Sequence, residues 1–260
     1  MYYPDEKILS IVGEDVLRKS TTLFNPKYVC LDGSVKTYLK KKKEKKKAFA
    51  ESDILFILYS VSQALTFAHM KNIIHRNIKP SNIFINKNGQ AKLGEFGIGA
   101  INEFHRNIWA AGDCEATSYA SPELHKREPL TAKTDIFSLG VVLFELCSLV
   151  KPFHLNDQSI KKNICENEPN WRDIPPQYSE DLVNQIKLML AKNPNKRPSS
   201  ELVFYWAIKK IDSSSVENKL ELEEIPEQNM EIALPKINKK NSSILGGQLL
   251  KSDYDWKALQ

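Results

Sequence analysis

The sequence predicts an α+β fold, mostly helical, with a small β component, and three observations carry that expectation. Apolar residues recur at three- and four-residue steps through Ile54, Ile57, Leu58, Val61, Leu65 and Ala68, the period of a helix with one face on a core. A second stretch, residues 135–149, is apolar nearly all round through Val142, Leu143, Phe144, Leu146 and Leu149, which suits a helix in the centre of a helical lobe. Between the two, Ile83-Phe84-Ile85 and Ala91-Lys92-Leu93 flank Asn88-Gly89, the turn chemistry of a two-stranded hairpin.

Taken in order, residues 4–12 read as a short amphipathic helix with Ile8, Leu9, Ile11 and Val12 on its apolar side. Residues 16–24 and 28–31 read as strands joined through Asn25-Pro26. Residues 34–47 read as a helix that ends in a lysine run. Ser52 is placed to cap the long helix that follows, and residues 98–123 have no regular pattern. Leu182, Val183, Ile186, Met189 and Leu190 give one more helix face, stopped at Pro194. From Asp212 the composition shifts to Ser, Glu, Asn and Lys, read as a flexible tail.

Composition narrows the function classes. The chain has 260 residues, 42% of them hydrophobic and 27% charged, enough to bury a core. No run of about eighteen apolar residues predicts a membrane span, and the start lacks a signal-peptide layout. Cys30, Cys114, Cys147 and Cys165 are scattered, so reduced thiols are expected rather than a disulfide framework or metal site. The formal charge of +5 is local in origin. The run from Lys40 on to Lys47 holds seven lysines and Glu44, a formal +6, so the remainder is about neutral at −1. A general nucleic-acid-binding surface is not implied. The run reads as a solvated helix face, or as a nuclear-localisation or acidic-partner patch.

The chemistry concentrates in residues 74–97, where His75, Arg76, Lys79 and Asn82 are followed, after the hairpin, by Phe96 and Gly97. This order resembles the catalytic loop and metal-binding turn of eukaryotic protein kinases, whose signatures are H-R-D-x-K-x-x-N and D-F-G. The separation between Asn77 and Glu95 also matches, although both positions hold aspartate in an active kinase. The resemblance extends to Ala120-Ser121-Pro122-Glu123, which is similar to the A-P-E anchor, and to Arg197, which resembles the arginine that pairs with its glutamate. Asp135 resembles the aspartate that receives backbone N–H groups of the catalytic loop. Residues 135–153 and 175–182 are most similar to the NIMA-related (Nek) kinases.

The resemblance implies a kinase-like fold with an incomplete small β N-lobe and a mostly helical C-lobe. Residues 1–33 are then the remnant of the N-lobe (the end of helix C, strands 4 and 5, and the hinge near Asp32-Gly33), residues 34–211 the C-lobe and residues 212–260 the flexible tail. The resemblance also implies ATP and Mg as cofactors, with Asn82 and Glu95 toward the metal and Lys79 beside Asn77 at the site of phosphoryl transfer. Glu6 then falls near the glutamate that pairs with the ATP-binding lysine, or is a plain surface residue. His75, Arg76, Phe96, Gly97, Glu123, Asp135 and Arg197 take structural roles. No G-x-G-x-x-G occurs in the chain, and five residues precede Glu6, so the phosphate cover and its lysine are expected to be absent. Between Ile98 and Ala116 no serine or threonine stands, which gives little basis for activation by phosphorylation there.

Asn77 can orient a hydroxyl but cannot accept its proton. Glu95 keeps a carboxylate with one extra methylene. Losses on each chemical task, with structural positions kept, imply a pseudokinase acting as a scaffold or allosteric binding module. Its expected partners are proteins, an active kinase or a cytoskeletal protein, and its expected place is cytoplasmic or cytoskeletal, or nuclear through the lysine run. Two alternatives stand beside it: a serine/threonine kinase whose amino-terminal exons are missing from this sequence, and an interaction protein working through residues 40–47.

Overall fold

The computed structural model describes residues 33–85, 91–94, 114–153 and 160–214. Within them lie α1 (Val35–Lys45), α2 (Glu51–Met70), β1 (Ile83–Ile85), β2 (Ala91–Leu93), α3 (Cys114–Tyr119), α4 (Pro122–Lys126), α5 (Ala132–Ser148), α6 (Ile160–Glu166), α7 (Glu180–Met189) and α8 (Ser200–Ser214). The expected α+β class, mostly helical with a small sheet, is what these elements form. Expectations for residues 1–32 (including Glu6), for the Asn88-Gly89 turn, for Glu95, Phe96 and Gly97, and for residues 215–260 lie outside the described residues.

The centre is α5. Every residue from Thr134 to Cys147 is buried, so this helix has no solvent face and packs on all sides. The sequence places its opening at Asp135, but the helix begins three residues earlier. Thr131 is the N-cap, its Oγ1 accepting from Lys133 N at 3.3 Å while Thr131 N donates to Thr134 Oγ1, also at 3.3 Å. Such reciprocal capping satisfies N–H groups that a helix start otherwise leaves without partners.

Gly140 lets α7 approach α5. A Cβ there would meet Met189 Cβ at 3.0 Å and Leu190 Cδ2 at 3.1 Å. Replacing Gly140 by valine should therefore overpack this crossing and cost about 1–3 kcal/mol. The denaturant midpoint measures it; an unchanged midpoint would show that the two helices have slack.

The α2 helix packs lengthwise against α8, and β2 and α5 cover its other sides. By length and composition α2 is apolar enough to cross a membrane, although the sequence shows no uninterrupted apolar run. Its burial from Ile54 to Ala68 shows instead a core helix of this fold. It opens at Glu51 behind Ala50, without a side-chain cap, so Ser52 is not the cap. Glu51 is turned outward, where its Oε2 accepts from Ser179 N, 2.7 Å away, at the start of α7. The helix starts ahead of the serine because Asp53 N and Ile54 N donate to Ala50 O at 3.1 and 3.3 Å, which puts Ala50 in the cap position.

The sheet is an antiparallel pair with Ile83 opposite Leu93 and Ile85 opposite Ala91. Ile83, Ile85, Ala91 and Leu93 are buried, and the intervening Phe84 and Lys92 are half-buried, the period of two that a sheet imposes. Ser34 forms an isolated bridge to Phe84, and Ile85 N donates to Gly33 O at 2.9 Å. Residues 114–123, read from the sequence as irregular, hold the short helix α3 and the start of α4. Pro122 at the first turn of α4 is suited to a helix start.

Candidate functional site: a loop suspended from a buried aspartate

The loop between α2 and β1 contains the residues that the motif singles out. Its backbone hangs on Asp135, at the start of α5. Asp135 Oδ2 accepts from His75 N at 2.8 Å, and Oδ1 accepts from Arg76 N at 2.8 Å. His69, at the end of α2, donates from Nε2 to the same Oδ2 at 2.8 Å, and its Nδ1 meets Ser200 Oγ at 2.9 Å. A fully buried carboxylate needs such donors to offset its lost hydration. The two consecutive N–H groups converge only because Arg76 takes a left-handed backbone conformation, φ 67°. A non-glycine residue pays roughly 1–2 kcal/mol for this.

His75 is fully buried and ties the loop to the hairpin. Its Nε2 donates to Gly94 O at 2.8 Å, and its Nδ1 accepts from Asn77 N at 3.2 Å. These two bonds place the ring proton on Nε2. Asn82 closes the loop from the other side: its Nδ2 donates to Asn77 O at 2.8 Å, and its own carbonyl accepts from Gly94 N at 2.9 Å. The backbone of Asn77 is thus held at both N–H and C=O, by His75 and Asn82. Asn77 is itself buried. Ile78 is buried in the core, while the next residue, Lys79, is half-buried.

The donors here test the implied magnesium. Asn82 Oδ1, which also faces Ser81 Oγ at 3.4 Å, and the Asn77 amide are neutral oxygens. Among the described residues no group of three His, Cys, Asp or Glu side chains is poised for a metal. A small hard dication prefers carboxylate oxygen, so the described donors do not make a magnesium site by themselves. The carboxylate that the resemblance implies for the metal, Glu95, lies outside them.

A second assembly holds the segment that follows. Glu123 and Arg197 form a bidentate pair, Nη1 to Oε1 at 2.7 Å and Nη2 to Oε2 at 2.9 Å. The other three guanidinium N–H groups donate to Ala191 O at 2.7 Å, Lys133 O at 2.9 Å and Lys192 O at 3.0 Å. All five donors of a side chain only 2% exposed are therefore used, and the Phe137 ring lies 4.9 Å from the guanidinium carbon. Burial alone would raise the Glu123 carboxyl. The hydrogen bonds and charge of Arg197, with Thr134 Oγ1 at 3.0 Å, outweigh it and hold the carboxyl below its ordinary range. His125, two residues on, donates from Nε2 to Thr117 O at 3.0 Å. Burial lowers its pKa to about 4, against the raising effect of that bond.

The sequence reading missed one further cluster. Glu145, 2% exposed within α5, accepts from Lys43 Nζ at 2.7 Å and from the Tyr119 hydroxyl. This joins α1, α3 and α5. The available signal was a glutamate in the middle of an apolar helix, since a buried carboxylate requires partners.

Comparison with known proteins agrees with this architecture. The protein kinase domain matches residues 14–207. The chain is 40% identical to human serine/threonine-protein kinase Nek5 over 154 residues, covering 58% of this chain and 21% of Nek5. It is 28% identical to the G2-specific protein kinase fin1 of Schizosaccharomyces pombe over 238 residues, 84% of this chain and 32% of fin1. With human Nek2 it shares 29% identity over 247 residues, 84% of this chain and 55% of Nek2. The chain thus spans between about a fifth and just over half of these relatives' lengths. A loop suspended from Asp135, a segment clamped by Glu123 and Arg197, and a match over most of the residues place the chain in the protein kinase family, Nek-like within it.

Proposed function

We propose that this Nek-type kinase fold has lost efficient phosphoryl transfer and works as a scaffold or allosteric binding module. Protein kinases in general use ATP with magnesium, and an aspartate of the catalytic loop accepts the proton of the substrate hydroxyl. The observation that carries the proposal is Asn77 at that position, in a loop whose supports are intact. Its backbone is held by His75 and Asn82, so the loop conformation is kept while the basic group is replaced by an amide. General-base catalysis contributes about 10²–10⁴-fold, and an amide cannot supply it. The partner we propose is a protein, of the active-kinase or cytoskeletal kind that the Nek resemblance implies.

The test is transfer of the γ-phosphoryl group from magnesium ATP to a hydroxyl-bearing peptide, with wild type and Asn77→Asp side by side. Wild type should turn over at least about 100-fold more slowly than the roughly 1–100 s⁻¹ of active kinases, without a thermal shift on adding nucleotide and magnesium. Wild-type turnover in the active range would overturn the proposal, as would a clear magnesium-dependent shift. Asn77→Asp should leave the melting temperature nearly unchanged, since the supporting bonds are to the backbone.

A further inference from the structure

The lysine run is the most concentrated charge in the chain, and the structure separates its members by what they do. Lys42 is buried: its Nζ donates to Ala48 O at 3.1 Å and lies 5.1 Å from the centroid of the Phe49 ring. Lys43 reaches Glu145, and Lys40 stands 4.0 Å from Glu44 one turn along α1. Lys45, Lys46 and Lys47 are exposed and Lys41 is half-exposed; none of these four contributes to an ion pair among the described residues. Burial, together with the like charges of Lys45 and Lys47, lowers the pKa of Lys42 against the pull of Asp53. The face therefore carries positive charge that α1 and its neighbours leave without compensation.

The course of the fold brings the end of α8 toward this face. Lys210, in the last turns of α8, pairs with Asp181 at the start of α7. Beside it, Tyr178 donates its hydroxyl to Phe49 O at 2.9 Å, and Ser179 N donates to Glu51. Phe49 is two residues beyond Lys47. The chain therefore leaves α8 on the side where the lysine run ends. Residues 217–231 follow three positions after Ser214, with six glutamates (Glu217, Glu221, Glu223, Glu224, Glu227 and Glu231) against Lys219, a formal −5. Extended chain covers about 3.3–3.6 Å per residue, so the seven residues from Ser214 to Glu221 span up to about 23–25 Å.

We propose that the face formed by Lys41, Lys45, Lys46 and Lys47 is a docking surface for a glutamate-rich peptide segment, and that residues 217–231 of the same chain occupy it. Tethering makes the encounter intramolecular, so modest attraction per charge pair gives substantial occupancy. A nucleic acid fits the face less well. The aromatic side chains beside it, Tyr38 and Phe49, are buried and offer no stacking platform, and the charge outside the run is formally −1. This inference does not depend on the loss of phosphoryl transfer.

The experiment is zero-length carbodiimide cross-linking of the full chain, in an equal mixture of unlabelled and ¹⁵N-labelled protein, read by mass spectrometry. Amide bonds should join Lys41, Lys45, Lys46 or Lys47 to glutamates within 217–231, within single chains. Their yield should fall at least about fivefold as salt rises from about 0.05 to 0.5 M, where the Debye length shrinks to roughly 4 Å. K45E/K46E/K47E should abolish these links. E221K/E223K/E224K should do so too, independently of any effect of the first variant on α1, and the combined charge swap should restore links of reversed polarity. Links mainly between labelled and unlabelled copies would overturn docking within the chain. So would lysines that link only to other carboxylates, or single-stranded RNA protecting the lysines while the glutamates stay equally reactive without it.

Discussion

Arg197→Ala is expected to remove about 3–5 kcal/mol of stability, because it leaves the Glu123 carboxylate buried beside three backbone carbonyls that lose their donor. For a domain of this size that is a fall of roughly 6–20 °C in melting temperature. Arg197→Lys should recover only part of the loss, since an ammonium has three donors and no planar fork to match five acceptors. Replacing both partners with apolar residues of similar volume should cost less than the single alanine. If Arg197→Ala melted within a degree or two of wild type, the clamp would not be holding the segment.

The same pair sets the direction of the pH dependence. Glu123 has a folded-state pKa held below its unfolded value, so its contribution is full above about 4.3 and fades as pH falls through the lower folded value. The gap between wild type and Arg197→Ala should narrow over that range. His125 acts earlier and separately. Its pKa is 6.5 for the free group and about 4 in the fold, so the unfolded chain binds more protons between those values, and stability declines as pH drops from 6.5 toward 4.

Asp135→Asn is the second large effect. The carboxylate accepts from His75 N, Arg76 N and His69 Nε2, and an amide offers one acceptor oxygen with an NH₂ facing a donor. Hydrogen bonds to charged groups are worth about 1.5–3 kcal/mol each, so the loss should reach about 3–5 kcal/mol, with Arg76 released from its left-handed conformation. Urea titration reports the stability change, and the backbone amide shifts of residues 75–77 report the loop. A variant as stable as wild type with an unmoved loop would show that other contacts hold the backbone.

Much of the helical part was legible because periodicity is a property of the chain itself. The apolar residues Ile54 to Ala68 face the core, and Ile83–Ile85 pairs with Ala91–Leu93. Boundaries were less legible, because they depend on distant partners. Ser52 has the right chemistry for a cap, yet the first helical N–H groups close onto Ala50 O, so α2 starts earlier. Thr131 and Thr134 cap each other ahead of Asp135.

The loop and the Glu123–Arg197 contact were reached through resemblance, and spacing alone could not have paired residues so far apart in sequence. The lysine run shows the limit most plainly. Its members read alike in the sequence, but the fold buries Lys42, assigns Lys43 to Glu145 and leaves Lys45 to Lys47 in solvent. The helices α3 and α4 were missed because short segments are fixed by tertiary anchors, here Tyr119 on Glu145 and Glu123 on Arg197.

Asp135 also alters what kind of segment the loop is. Irregular connections usually open in small local fluctuations. Here the amide protons of His75 and Arg76 are locked onto a fully buried carboxylate at the base of the central helix. Freeing them means uncovering Asp135, and with it His69 and Ser200 on two other helices. The loop therefore belongs to the same cooperative unit as the helices around it. Its amide protons should therefore exchange with solvent as slowly as those of the helices that enclose it.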